Sequence, residues 1–589
     1  MDMKKTVLAA AAAAIMLSAH AQTPDTSTRT SAQDGRSRQE ILFDDGNYAM
    51  FIHFGLYSKL EGEWKGKLYF GNAEWIMNQN QAAIPVEEYM AEAADFNPCD
   101  FDAKAIVDLA KAAGMKYIVI TSKHHEGFAM FDSDACDFNI HDATPLKRDL
   151  MKELADACHE AGLGIGFYYS QWQDWTAPGG GSGPEIPGMT REEAFEKYFR
   201  EKCIPQVNEL TTKYGEIQVI WFDTPGSLSP EFSKELVDLV RKNQPGALVS
   251  SRVGNDMGDY ETLGDMQVPV VNHNGRWEGI DVVQVGWGFS RFDSEWKSPE
   301  YIVRTLVSTV ARGGTFMFNI GPDARGRIPE EAQMTLRKSG EWVHRYPQAV
   351  YGAEASPWGH ALPWGDAVRH GEKIYMVVYD WPSDGRLWVP GIKGQVKSAR
   401  LLAGASMPKA KALKYRNEGE WIGIAVPVQA PDPVASVIEL TLDAGASIDQ
   451  TLAAAPNCAA ELPVALAQAE GCSIEDKAWM VKFGEWKFKT VAQGMNAASK
   501  VSWNLNVKEP GFYQVDVEYL GKGLVDFRLT DKGGASIVDR KKAGSDYGFQ
   551  SLGWIRIDSA GTHTLELNVT DADYEALKLA SIRISKVNL

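Results

Sequence analysis

Cysteine is scarce, with six in 589 residues. That density excludes a disulfide-built scaffold, in which cross-links replace a hydrophobic core. Positive charge is also in deficit. Lys and Arg number 60 against 78 Asp and Glu, a formal net charge of -18. Nucleic acid and anionic membranes both select a basic face, so neither is expected as the main partner. Several catalytic signatures are missing too. The sequence contains no Gly-x-Ser-x-Gly elbow of a serine hydrolase. No Gly-rich phosphate loop follows an apolar run, and no His-x-His or Cys/His spacing suits zinc. The adjacent His124 and His125 point to opposite sides of an extended chain, which disfavours shared ligation of one ion. Neither a cofactor nor a metal is called for.

Hydrophobic residues make up 44% and charged residues 23%, an ordinary globular composition on a chain long enough for several cores. Residues 1–21 read as a signal peptide. Lys4 and Lys5 precede the apolar stretch Thr6 to Leu17, and Ala19-His20-Ala21 supplies a small-x-small cleavage site. The apolar stretch is short for a bilayer, so export to the periplasm or beyond is expected, with no membrane span after removal. Cys99, Cys136, Cys158 and Cys203 are expected as buried free thiols. Cys458 and Cys472 leave open a short disulfide loop in an oxidising compartment.

From residue 39 to 352 apolar runs alternate with helical spacing. Strands are predicted at Met50 to Tyr57, Tyr117 to Ile120, Ile165 to Tyr169, Val219 to Phe222, Leu248 to Ser251, Val282 to Val285 and Phe316 to Ile320. Helices are predicted at Phe101 to Ala113, Asp149 to Ala161, Glu192 to Tyr214, Phe232 to Lys242 and Ile302 to Ala311. The alternation predicts an α/β fold, a (β/α)8-like barrel. Residues 353–445 carry short alternating segments between Gly, Pro and Asp turns, which predicts a β-sandwich. Residues 446–470 read as an Ala-rich linker, and 471–589 as a second β-sandwich.

In a parallel barrel, reactive groups gather where the strands end. Those ends carry His53, then Lys123-His124-His125-Glu126, then Tyr168-Tyr169-Ser170 with Trp172 and Trp175 beyond, then Trp221-Phe222-Asp223, Ser251-Arg252 and Gly286-Trp287-Gly288. Imidazoles, an Arg, carboxylates and aromatic faces suit a small polyol. Asp223 stands out because it ends the apolar run Val219-Ile220-Trp221-Phe222, where a carboxylate is costly to bury. Its bland alternative is a turn or cap role before Thr224-Pro225-Gly226. Between Arg252 and Trp287 lie Asp256, Asp259, Glu261, Asp265, Glu278 and Asp281 as candidate second carboxyls.

Ile52-His-Phe-Gly-Leu-Tyr-Ser, Ala73-Glu-Trp, Lys123-His-His-Glu-Gly-Phe, Lys147-Arg-Asp-Leu, Tyr168-Tyr-Ser, Trp221-Phe-Asp, Trp277-Glu, Trp287-Gly-Phe and Asn319-Ile-Gly-Pro occur in this order over about residues 40 to 350. In these segments the chain resembles glycoside hydrolase family 29, the retaining α-L-fucosidases. The resemblance implies a barrel followed by a β-sandwich, an exo-acting hydrolase of fucosylated glycans, and Asp223 as nucleophile. It places fucose-binding groups at His53, Glu74, Trp75, His124, His125, Tyr168, Trp221, Arg252 and Trp287. The acid/base varies in position among members. One pattern maps onto Gly264, which has no carboxyl; another maps onto Glu278. Glu278 is therefore the expected acid/base and Asp265, beside Gly264, the alternative. A retaining pair sits about 5–5.5 Å apart. A non-catalytic fucose-binding protein and another retaining exo-glycosidase on the same barrel are the rival readings. Trp479, Trp486 and Tyr547 are candidate sugar-stacking residues of the last domain.

Overall fold

The computed structural model describes residues 35–532 and 534–587. The signal-peptide reading falls outside them. Eight strands form the first sheet: β1 (Tyr48–Ile52), β2 (Tyr117–Lys123), β3 (Gly164–Tyr169), β4 (Val219–Phe222), β5 (Leu248–Val249), β6 (Glu261–Thr262), β7 (Trp277–Val282) and β8 (Thr315–Ile320). Their order is β5-β4-β3-β2-β1-β8-β7-β6 and every pairing is parallel. The sheet thus curls until its two end strands meet, and a single parallel bridge, Ser250 to Tyr260, joins them.

Helices α1 (Ala103–Ala113), α2 (Leu150–Ala161), α3 (Arg191–Tyr198), α4 (Ile204–Thr212), α5 (Pro230–Asn243), α6 (Pro299–Ala311) and α7 (Glu330–Arg345) lie between or after these strands. Their ends follow from side-chain chemistry. Asp102 and Asp149 accept the Ala105 and Lys152 amides at 2.9 Å, capping α1 and α2. Gly114 and Gly162 close the same helices at φ 87° and 75°. The long helix predicted over Glu192 to Tyr214 is interrupted by a π-helical turn, Phe199–Cys203. Pro205 follows at once and has no N–H to continue the regular ladder.

Strand alternation divides the core. On β1, Tyr48, Met50 and Ile52 face the helices while Ala49 and Phe51 face inward. Val119, Tyr168, Val219, Trp221, Ile280, Val282 and Met317 fill the barrel with them. The helix Arg38–Asp44 closes the opposite end of the barrel: Phe43 packs on Tyr117 and Tyr260.

One predicted strand is displaced. The structure has Trp277–Val282 as β7 where the sequence suggested Val282 to Val285. Glu278, Gly279 and Asp281 dilute the apolar signal of the true strand. Asp281 faces outward to Lys297 and to the Tyr301 hydroxyl at 2.7 Å, while Ile280 and Val282 face inward.

Strands within 365–442 pair into a five-stranded and a three-stranded sheet over one core. Strands from 452 to 586 form two further sheets over another. The Ala-rich segment 446–470 is therefore not a connector. Leu452–Ala454 runs parallel to Lys500–Val507, and Ala460–Pro463 pairs with Lys578–Lys586. Small residues suited a tightly packed edge as well as they suit a linker. All six cysteines are free thiols, Cys458 and Cys472 included; Cys158 and Cys203 are buried, whereas Cys99 is exposed and Cys136 partly so. Among the described residues no helix is long and apolar enough to cross a membrane.

Candidate active site

The inward positions of each strand continue past its end, and that continuation builds the site. Phe51 faces inward, so His53 follows two residues on; Trp221 faces inward, so Asp223 follows it. His124 and His125 leave β2, Tyr168 belongs to β3, and Arg252 leaves β5 in the turn Ser251–Val253. Glu74 and Trp75 come from the turn Ala73–Trp75, and Trp287 from beyond β7. All of these line one pocket of about 380 Å³, a size suited to a small ligand.

Asp223 is tightly held. Its Oδ2 accepts the Tyr168 hydroxyl at 2.7 Å, its Oδ1 lies 3.0 Å from Arg252 Nη1, and His125 Nε2 lies 3.5 Å from Oδ2. Burial alone would raise its carboxyl. The Arg252 guanidinium and the Tyr168 hydroxyl outweigh that and hold it below the ordinary carboxylate range. The group is ionised at neutral pH, as a nucleophile requires. Thr224, the next residue, has φ 46°. A β-branched residue there is strained, and such strain collects where function fixes the backbone.

The imidazoles are neutral. Burial lowers His53 to about 3 and His125 to about 4, and takes His124 well below its ordinary value. Hydrogen bonds then settle two tautomers. The Asn319 amide donates to the Trp287 carbonyl at 2.7 Å, so its oxygen, 2.8 Å from His53 Nδ1, accepts from that nitrogen. Ser170 donates to the Gln173 carbonyl at 3.0 Å and accepts from His125 Nδ1 at 2.7 Å. Each ring keeps Nε2 as an acceptor. Glu74 complements them. Its Oε2 accepts the Gly288 amide at 2.8 Å, its Oε1 has no protein partner, and burial raises it to about 8. A protonated Glu74 offers the ligand a donor beside the acceptors.

Of the six candidate second carboxyls, Asp265 is the one that lines the pocket. Its Oδ1 lies 2.6 Å from Arg252 Nη2, so one guanidinium holds Asp223 and Asp265 on neighbouring nitrogens. Asp259 is spent on the Val249 amide at 2.7 Å and on Arg241. Glu261 pairs with His273 at 3.2 Å. Glu278 requires a correction. It begins β7, not a loop, so its side chain enters the barrel one layer below the pocket and is 1% exposed. There its Oε1 accepts the Trp221 indole N–H at 2.8 Å, and burial raises it to about 7.

Other sequence-derived groups have structural work. Lys123, Lys202 and Asp174 form a buried cluster, with Asp174 Oδ2 at 3.1 and 2.8 Å from the two amines. This cluster pins the start of the Gly-rich loop over 173–187. Four pocket residues come from outside the barrel, and of these the sequence singled out Trp486 alone, as a sugar-stacking candidate of the last domain. Met480, Phe483, Gly484 and Trp486 reach the pocket from the second sandwich, on the hairpin of β9 (Ser473–Met480) and β10 (Trp486–Gln493). Among the described residues, one cluster sets three ligand-type atoms together, Asp132, His141 and Asp142; it does not line this pocket.

A parallel barrel with two carboxylates and neutral hydrogen-bonding groups at its strand ends is the design of a glycoside hydrolase. The sequence model of the family described as Alpha-L-fucosidase matches residues 14–348, and the chain belongs to that family. It is similar to the alpha-L-fucosidase of Dictyostelium discoideum, 26% identical over 68% of this chain and 92% of that one. The human plasma alpha-L-fucosidase is 27% identical over 59% of this chain and 77% of its own length. Among solved structures, the alpha-L-fucosidase of Vibrio sp. strain EJY3 superposes with a TM-score of 0.75 at 27% identity, covering 92% of this chain and 97% of that one. The family 29 alpha-L-fucosidase of Bacteroides thetaiotaomicron, solved as a trapped covalent intermediate with 2-fluoro-fucosyl fluoride in a Glu-to-Gln variant, superposes at 0.62 with 29% identity over 68% of this chain and 95% of that one.

Proposed function

We propose that the chain is an exo-acting retaining α-L-fucosidase in which Asp223 is the nucleophile and Asp265 the acid/base. The observation that carries this is the shared guanidinium: Arg252 binds Asp223 at 3.0 Å and Asp265 at 2.6 Å on adjacent nitrogens. Two carboxyls held on one planar fork are neighbours, an arrangement that suits the close pair of a retaining enzyme, about 5–5.5 Å apart. Their partnership also gives each a distinct task, since Asp223 is ionised and additionally bonded to Tyr168.

The chemistry follows from those positions. An Asp223 oxygen attacks the anomeric carbon while the C1–O bond breaks and Asp265 gives its proton to the departing oxygen. The product is a covalent fucosyl ester on Asp223. Asp265 then takes a proton from water, whose oxygen attacks C1 and frees the carboxylate, so configuration is retained. His53 and His125 accept sugar hydroxyls through Nε2, Glu74 donates through its acid proton, and the Trp287 ring faces the apolar side of the sugar with its methyl. The trapped covalent relative supports this course. The basic, apolar and small-residue pattern at the N-terminus supports an exported enzyme acting on fucosylated glycans outside the cytoplasm.

Asp223→Ala tests the assignment. We expect turnover of an aryl fucoside to fall by about three orders of magnitude or more, and added azide to restore part of it with fucosyl azide of inverted anomeric configuration as product. Residual turnover near wild type without azide would overturn the nucleophile. No turnover by the unmutated chain would leave the fucose-binding reading.

A further inference from the structure

The pocket is not completed by the catalytic barrel. The β9–β10 hairpin, more than a hundred residues downstream, supplies Met480, Phe483, Gly484 and Trp486 to its wall. Two glycines of the barrel make this approach possible. A side chain at Gly71 (φ 97°) would meet the Phe483 carbonyl oxygen at 2.1 Å, and one at Gly264 would meet the Phe488 ring at 2.3 Å. The Asn72 amide donates to that same Phe483 carbonyl at 3.1 Å. The hairpin is therefore seated on the barrel by close contact at two points, one beside Glu74 and one beside Asp265.

The second point fixes the hairpin's place in the reaction. A proton donor must stand on the side of the departing oxygen, and Asp265 is adjacent to the glycine against which Phe488 packs. The hairpin thus borders the leaving-group side of the pocket at Asp265 and its rim at Glu74 and Trp75, across from His53, His125 and Trp287. Its chemistry is apolar and aromatic. Trp75 meets Phe483 edge to face at 5.8 Å, Trp486 is half-buried, and Met480 is 44% exposed. The charged side chains at the tip are engaged elsewhere: Lys482 with Glu295 at 2.7 Å and Glu485 with Lys487 at 2.8 Å.

We propose that this hairpin is the leaving-group subsite, with Met480, Phe483 and Trp486 receiving the apolar face of the neutral pyranose to which fucose is joined. The inference rests on the fucosidase reading and assigns the last domain a role in catalytic specificity, in place of a remote sugar platform. Trp479 and Tyr547, candidates for such a platform, pack on each other at 5.2 Å.

Two substrates separate the parts. Fucosyl fluoride has a single atom as leaving group and cannot reach the hairpin; a fucosyl disaccharide carries a full ring. For Trp486→Ala the ratio of kcat/KM on the disaccharide to kcat/KM on the fluoride is expected to fall about tenfold, the scale of one lost apolar contact of this size. Met480→Ala, at a more exposed position, is expected to lower the same ratio about twofold to threefold. An unchanged ratio in both variants would overturn the subsite, whether or not the absolute rates fall. Failure of the unmutated chain to hydrolyse the fluoride would instead remove the fucosidase reading beneath it.

Discussion

The indole N–H of Trp221 donates to Glu278 Oε1 at 2.8 Å, linking the pocket floor to a carboxyl one layer below it. Trp221 also stacks on Tyr168 at 5.4 Å and lies 5.0 Å beneath the Arg252 guanidinium. The side chains that hold Asp223 are thus themselves held from below. Glu278 acts as a support, and its second oxygen has no protein partner.

That placement predicts a contrast between two substitutions. Glu278→Gln keeps a carbonyl oxygen for the indole, so hydrolysis of a fucosyl disaccharide should stay within about threefold of wild type. Glu278→Leu leaves a buried indole N–H unpaired, which costs about 1–3 kcal/mol, and should lower the unfolding midpoint and the rate together. If Glu278→Gln loses the disaccharide but keeps an aryl fucoside, Glu278 is the proton donor after all.

The same residue shows how far the sequence could be read. Barrel class and the strand-end residues of the pocket, such as His53, Tyr168 and Asp223, follow from apolar periodicity, because fully buried parallel strands such as Val219–Phe222 leave a continuous apolar run. Strand β7 does not. It buries a carboxyl inward at Glu278 and pairs one outward at Asp281, so the apolar window slid to the residues after it. A four-residue slip moved Glu278 from the barrel interior to an imagined loop. The hairpin was illegible for a different reason: its contact with the pocket spans two domains, and no local pattern around Trp486 encodes which surface it meets.

Asp265 makes the complementary prediction. Asp265→Ala should reduce kcat/KM on a disaccharide by about 10²–10⁴, the usual scale of general acid catalysis. On an aryl fucoside, whose leaving group departs without a proton, the first step should change little. Glu74 is the control, since it also lines the pocket and burial keeps it protonated to about 8. Glu74→Gln should weaken binding of both substrates alike. A disaccharide-selective loss in Glu74→Gln, absent from Asp265→Ala, would transfer the acid role to Glu74.

Tyr168→Phe tests the electrostatics of Asp223, the proposed nucleophile. The Tyr168 hydroxyl donates to Asp223 at 2.7 Å and helps hold its carboxyl low, although Arg252 does more. Removing that donor raises the Asp223 pKa toward the ordinary range. With Asp223 as the proposed nucleophile, activity requires its ionised form, so the acidic limb of the kcat/KM profile on an aryl fucoside should move to higher pH, by up to about one unit. A limb that stays in place or moves down would show that another group governs it.

Glu126 carries a cost that pH should reveal. Both of its oxygens lack hydrogen-bond partners, it is fully buried beneath Gly55, and burial raises it to about 8. In the unfolded chain the same carboxyl ionises near 4.3. Between those values the folded state binds the proton and the unfolded state does not, so this group's contribution to stability is full below about 4.3 and is lost as pH rises toward 8. Glu126→Gln removes the titration while keeping the shape. The buried histidines, lowered to about 3 and 4 at His53 and His125, lose stability in the opposite direction as pH falls, so the comparison must be variant minus wild type at each pH. Subtracting in this way, the midpoint of Glu126→Gln relative to wild type should climb steadily from pH 5 to pH 8.5, by the equivalent of a few kcal/mol at most. A difference that is flat across this range would mean that Glu126 ionises as freely in the folded protein as in the unfolded one.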